Sequence, residues 1–244
     1  MRVGVHIDAF NLYYGGRALC GRGAAGWRWL DVRALVTPYV GWSGASVEKV
    51  VYCTARVNDP DHPQGAIDQA VYIDALLEAG SITELVEGRY VHRASEAPLA
   101  VSPGPVATKY AATGREHFDA ALPLRHTTDR HSGRPMILAT VQRSEEKGFD
   151  VNVAATLLRD VLGGNVEAAV VVSNDSDLAM PLELARRKVP VGLINPSSNY
   201  LAGALRGRAS DGAGRHWWKQ LTAAEFVAHQ LPDPVGRWRK PNGW

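Results

Sequence analysis

Four aspartates stand where apolar runs end or helical patterns begin. Asp8 and Asn11 follow the first run, in Val-Gly-Val-His-Ile-Asp8-Ala-Phe-Asn11-Leu. Asp150 opens a helical pattern, in Lys147-Gly148-Phe149-Asp150-Val. Asp175 and Asp177 close a third run, in Val-Val-Val-Ser173-Asn174-Asp175-Ser176-Asp177-Leu. Buried carboxylates repel one another and resist desolvation. A fold that gathers several of them at strand ends usually gathers them around a hard divalent cation. Mg²⁺ or Mn²⁺ held there polarises a phosphoryl oxygen and lowers the pKa of a bound water, which is the chemistry of phosphodiester hydrolysis. On this reading Asp8, Asp150, Asp175 and Asp177 hold the metal. Asn11 and Ser173 orient water or a phosphate oxygen. A plainer reading stands beside it: Asp, Asn and Ser are common after strands because they make turns and cap helices.

The elements that must position these residues alternate. Strands are expected over Arg2–Asp8, Val47–Val57, Ile82–His92, Met136–Val141, Val166–Ser173 and Val189–Ile194. Helices are expected over Leu30–Val40, Gln64–Glu78, Phe149–Leu162 and Leu178–Lys188, where Pro181 must fall in the first turn. Short helices are also compatible with Asn199–Arg208 and Thr222–His229. The stretch Arg93–Arg134 holds Pro98, Pro103, Pro105 and Pro123, and its periodicity is weak. It reads as an insertion or flap with one short helix near Arg115–Leu122. Such alternation implies an α/β fold, a mostly parallel sheet flanked by helices, with ligands at the carboxyl ends of its strands.

Bulk properties exclude little. The chain has 244 residues and a formal net charge of only +2, so no global field argues for nucleic acid. Local clusters matter more. Arg17, Arg143 and Lys147 flank the carboxylates in sequence and are candidates for phosphate contacts, with Ser173 and Asn174. Arg206, Arg208, Arg215, His216, Trp217, Trp218 and Lys219 mix charge with indoles. Arg186-Arg187-Lys188 reads as cations on a helix C-terminus. Cys20 and Cys53 are the only cysteines, read as reduced thiols. His6 reads as a core residue, and His126 with His131 lacks zinc-like spacing. Every apolar run is too short for a membrane span, and a cytoplasmic protein is expected. Phosphate-binding, dinucleotide-binding and serine-hydrolase motifs are absent.

The three acidic segments, in this order and at these junctions, resemble the signature segments of NYN domains, which are PIN-like nucleases (the LabA-like group among them). The resemblance covers roughly residues 1–196. It implies a PIN-like three-layer α/β/α sandwich, an Mg²⁺ or Mn²⁺ site and ribonuclease activity on RNA. Carried over by position, the acidic set is Asp8, Asp150, Asp175 and Asp177, with Asn11 as the accompanying polar residue and Lys147 as the basic residue before the Gly-x-Asp step. The Gly-rich, basic segment Arg206–His216 and the long 93–134 insertion depart from the family pattern. The expected organisation is a nuclease domain over 1–209 and a Trp- and Arg-rich extension over 210–244, with a homodimer compatible with that extension. The rivals are a catalytically silent RNA- or protein-binding module and a phosphatase of another α/β class. Phe10, standing where a second Asp would be needed, argues against the dehalogenase-like version of the latter.

Overall fold

The computed structural model describes residues 1–57, 63–101, 108–147 and 149–244, with backbone alone at 89–92, 144–147 and 149–150. The chain divides into two compact units, 1–89 with 147–244, and 90–146.

The first unit is built on six strands. β1 (Arg2–Asp8), β2 (Ser46–Ala55) and β3 (Glu84–Pro98, whose outer part enters the second unit) run from the middle to one side. β6 (Ala168–Val172), β7 (Val191–Asn195) and β8 (Trp217–Gln220) run to the other. Their order is β3-β2-β1-β6-β7-β8, and every pair is parallel. All five residues of β6 and of β7 are buried. Such unbroken apolar strands follow from helices covering both faces.

Those helices form the outer layers of a three-layer α/β/α sandwich. α4 (Phe149–Leu162) packs on β1, β2 and β6, beside α5 (Ala179–Arg186). The other layer holds α1 (Ala9–Cys20), packed against α6 (Ala223–Ala228). Gly15, in the middle of α1, is needed there: a Cβ would lie 2.2 Å from the Pro196 carbonyl oxygen. α2 (Val32–Val36) and α3 (Pro63–Glu78) complete the helices, and the Tyr72 hydroxyl of α3 donates to the Leu30 carbonyl at 2.7 Å.

The C-terminal segment belongs to this unit. β8 extends the sheet on the far side of residue 209. The Trp29 indole donates to the Pro232 carbonyl at 2.8 Å, and the Trp244 ring lies 5.6 Å from that of Tyr72.

In the second unit the outer part of β3 neighbours β5 (Pro135–Lys147), which pairs antiparallel with β4 (Leu124–Thr128). The flap expected over 93–134 is therefore partly strand. The helix expected over Arg115–Leu122 does not form. Glu116 instead accepts hydrogen bonds from the Thr113 and Gly114 amides, at 2.6 and 3.0 Å, and from the Thr113 hydroxyl. These local bonds replace helical ones.

Beneath α4 lies a buried polar network. His6 Nδ1 and Thr156 Oγ1 are hydrogen-bonded at 3.3 Å, and the Thr156 hydroxyl also lies 3.2 Å from the Val153 carbonyl. His6 Nε2 is left without a hydrogen-bond partner, 3.9 Å from the Asp160 carboxylate. Burial holds the His6 imidazole down at about 4, although Asp160 pulls the other way. Asp160 is fully buried. Burial pushes its carboxyl up, but hydrogen bonds from Arg159, Lys49 and Asn165 outweigh it and the net direction is down. Lys49 and Arg159 also pair with Glu84, at 2.7 and 2.8 Å.

Both shifts make the fold acid-labile. His6 is neutral when folded but takes up a proton near its ordinary 6.5 when unfolded. Its contribution is present above about 6.5 and is lost as pH falls towards about 4. The Asp160 contribution is lost lower still, as pH falls through its depressed value. Thermal melts from about pH 8 to about pH 3 should show this two-stage fall; a melting temperature flat between about pH 7 and about pH 4 would contradict it. Asp160→Asn should destabilise by about 1–3 kcal/mol, because the hydrogen bonds that Arg159, Lys49 and Asn165 give this buried carboxylate are weakened, while Lys49 and Arg159 keep Glu84 as a partner.

Candidate functional site

Chain order reverses between β1 and β6, which are neighbours in the sheet. Connections from β1 lead one way, connections from β6 the other. The crevice beyond the carboxyl ends of these two strands is the topological switch point, where open α/β sheets bind ligands. Asp8 ends β1, and Ser173-Asn174-Asp175 follows directly on β6.

One hydrogen-bonded chain joins them. Asp8 caps α1: its Oδ1 accepts from the Asn11 amide at 2.8 Å and its Oδ2 from Asn11 Nδ2 at 2.8 Å. Ser173 Oγ donates to Asp8 Oδ2 at 2.9 Å and accepts from the Asp175 amide at 3.1 Å. The Asn174 amide donates to Asn11 Oδ1 at 3.2 Å. Asp175 caps the 3-10 turn Ser176–Leu178 by accepting from the Asp177 amide at 3.0 Å. Capping, the plainer reading of the sequence, thus holds for Asp8 and Asp175. It does not exhaust them, because their caps also aim two strand ends at one crevice. Asp8 is buried, Asp175 half-buried and Asp177 exposed.

Asp150 is placed by its backbone. α4 runs antiparallel to the strands, since Thr156 meets His6 while Asp160 meets Lys49 at the other end of the sheet. Six residues back from Thr156 climb about 9 Å of helix. Two residues on from His6 climb about 7 Å of strand. The first turn of α4 therefore stands at the level where β1 ends. The Asp150 side chain, like that of Lys147, lies outside the described residues.

The other candidates are spread. Arg17 sits in the last turn of α1, about 12 Å along the helix from its start. Arg143 is exposed in the second unit. Asn174 is committed to its own loop. Its Nδ2 donates to Ser197 Oγ and the Tyr200 carbonyl, at 3.2 and 3.1 Å, and its Oδ1 accepts from the Ala202 amide at 2.8 Å.

Sequence reasoning missed two exposed tyrosines. Tyr14 on α1 is 56% exposed and stacks on Phe10, with ring centroids 6.3 Å apart. Tyr200, in the loop stapled by Asn174, is 95% exposed. The signal was available: Phe10 and Tyr14 are four apart on the helix that starts at Asp8. Cys53, opposite Asp8 in the β1–β2 register, is no nucleophile. Burial, with Asp8 adding to it, pushes its thiol up to about 12 despite a hydrogen bond to Thr156.

The donors at the edge are oxygens, the hard ligands that suit Mg²⁺ or Mn²⁺. Among the described residues no three acidic, His or Cys side chains stand at metal-ligand spacing. The set fits a cation that takes one or two direct carboxylates and keeps its waters. Among those residues, too, no helix is long and apolar enough to cross a membrane.

Comparison with known proteins adds one full-length similarity. The chain is 28% identical over 271 aligned positions to 6-hydroxy-3-succinoylpyridine 3-monooxygenase HspA of Pseudomonas putida (strain DSM 28022 / S16), covering all of this chain and 75% of that one. A crystal structure of a protein of unknown function from Vibrio parahaemolyticus RIMD 2210633 aligns over 90% of this chain and 92% of its own, at 14% identity and a TM-score of 0.43. No family model matches the chain.

The hydrogen-bond chain makes a direct prediction. Asp8→Ala removes a cap and leaves the Asn11 and Ser173 donors without their acceptor, so it should destabilise by about 2 kcal/mol or more. Asp177→Asn, at an exposed side chain, should stay within about 0.5 kcal/mol of wild type. Urea unfolding of both variants checks the contrast.

Proposed function

We propose that the chain is a metal-dependent ribonuclease of the PIN-like kind, working at the β1–β6 switch point. The observation that carries this reading is the joining of Asp8, Asn11, Ser173 and Asp175 at one strand edge, in an oxygen-only donor set. The resemblance of the three acidic segments to NYN domains supports it. Asp8, Asp150 and Asp175 would hold Mg²⁺ or Mn²⁺, with Asp177 acting through water. When bound, the metal would supply Lewis acidity and a water of lowered pKa.

The chain's own groups do the rest. Asn11 and Ser173 fix the Asp8 carboxylate in one orientation, so its oxygens are set before any ligand arrives. Such preorganisation is what a second shell contributes to a metal site. Tyr14 and Tyr200 offer faces on which unpaired bases stack, a sequence-tolerant contact suited to single-stranded RNA. By the NYN resemblance, Lys147 would be the basic residue that contacts phosphate.

A second reading is favoured by the full-length similarity to the pyridine monooxygenase. Under it the same edge would serve hydroxylation of a ring such as 6-hydroxy-3-succinoylpyridine, one atom of O2 entering the ring and the other leaving as water with two electrons from an external reduced cofactor.

A panel of single-stranded RNA, hairpin RNA, tRNA and single-stranded DNA, with Mn²⁺, Mg²⁺ or EDTA, separates the readings. The ribonuclease reading expects metal-dependent RNA cleavage that falls about a hundredfold or more in Asp150→Asn and Asp175→Asn. Intact RNA throughout, with oxygen uptake on the hydroxylated pyridine in the presence of a reduced nicotinamide or flavin donor, would replace it with the second reading.

A further inference from the structure

Arg186 was expected to be a cation at a helix C-terminus, interacting with its dipole. It is the last residue of α5, but only 8% of it is exposed. The segment after residue 206 closes over it. A Cβ on Gly207 would lie 2.6 Å from Arg186 Nη1, and the Ala213 amide donates to the Arg186 carbonyl at 2.8 Å. Nη2 donates to the Leu205 carbonyl at 2.7 Å, while Nε has no partner. Among the described residues no carboxylate lies within ion-pair distance of this guanidinium. Asp211 is the acid that acts on it electrostatically, and its Oδ2 accepts from the Arg208 amide at 2.7 Å. Burial of a guanidinium without a paired anion is unfavourable.

Arg186 lines a cavity of about 180 Å³, with Leu205, Arg206, His216, Trp217 and Trp218. That is far more than the ~10–15 Å³ a single water needs. Arg206 is exposed and lies over the Trp218 ring, 5.7 Å from its centroid. His216 is not an anion ligand here. Its Nδ1 accepts from the Val191 amide at 2.9 Å, so Nε2 carries the proton and donates to the Asp211 carbonyl. The cations left at the cavity are Arg186 and Arg206. The cavity sits where β7 and β8 begin, the sheet edge opposite Asp8.

We propose that this cavity binds a single oxyanion group, a phosphate or a carboxylate, between Arg186 and Arg206. Arg186 supplies a fixed, desolvated donor, and Arg206 closes from the rim over Trp218. The site is independent of the ribonuclease reading, since it shares no residue with the β1–β6 crevice.

Thermal melts of the full chain in chloride, with inorganic phosphate or acetate added at matched ionic strength, test it. Binding to the folded state alone raises the melting temperature in a saturable way. Wild type should be stabilised by one or both anions, and which of them acts identifies the group. Arg206→Ala should weaken the apparent affinity about tenfold or more, and Arg186→Met should abolish the effect. Circular dichroism shows whether Arg186→Met folds; if it does not, Arg206→Ala decides. Stabilisation no greater than with chloride, or an Arg206→Ala response equal to wild type, would overturn the proposal.

Discussion

The Asp8 carboxylate is the tie on which the site's geometry depends. It accepts from the Asn11 amide and side chain and from Ser173 Oγ. Those bonds join the end of β1, the start of α1 and the exit of β6. Each partner holds the next, Ser173 the Asp175 amide and Asn11 the Asn174 amide. A buried carboxylate is expensive unless hydrogen-bonded, and here three donors meet that need. The same bonds that make it tolerable also fix its direction.

On the same face of β1 the polar network continues inward. Asp8 is opposite Cys53 in register, and Cys53 and His6 both contact Thr156. Asp160, Lys49, Arg159 and Glu84 then lead out towards the strand starts. α4 is thus held to the sheet by polar contacts as well as by Val153, Leu157 and Val161. That anchoring sets the height of its first turn, and with it the backbone position of Asp150.

Much of this was legible in the sequence, for identifiable reasons. α4 begins and ends where its apolar spacing and Gly163 require. Buried parallel strands announce themselves as unbroken apolar runs, as β6 does. Strand–helix alternation implies a parallel sheet and puts Asp8 and Ser173 at one edge of it; that they meet depends on β1 and β6 being neighbours, which only the sheet order shows. β8 was not legible: Trp217-Trp218-Lys219-Gln220 is short, and only its pairing with β7 makes it a strand. The burial of Arg186 was hidden too, because it depends on a Gly-rich segment some twenty residues away. A charge run on a helix end looks the same whether or not a later loop folds over it. The helix expected near Arg115 failed on local chemistry, with Glu116 bonding back to Thr113 and Gly114.

The proposed function requires a divalent metal in the crevice between β1 and β6, in a site held in shape by Asp8. Crystals soaked in Mn²⁺ and measured at the manganese absorption edge test it most directly. One or two anomalous peaks are expected within ligand distance, about 2.0–2.2 Å, of Asp8 or Asp175 oxygens, absent from Asp8→Asn crystals. A map with no peak in that crevice, or with manganese only at surface carboxylates elsewhere, would contradict it.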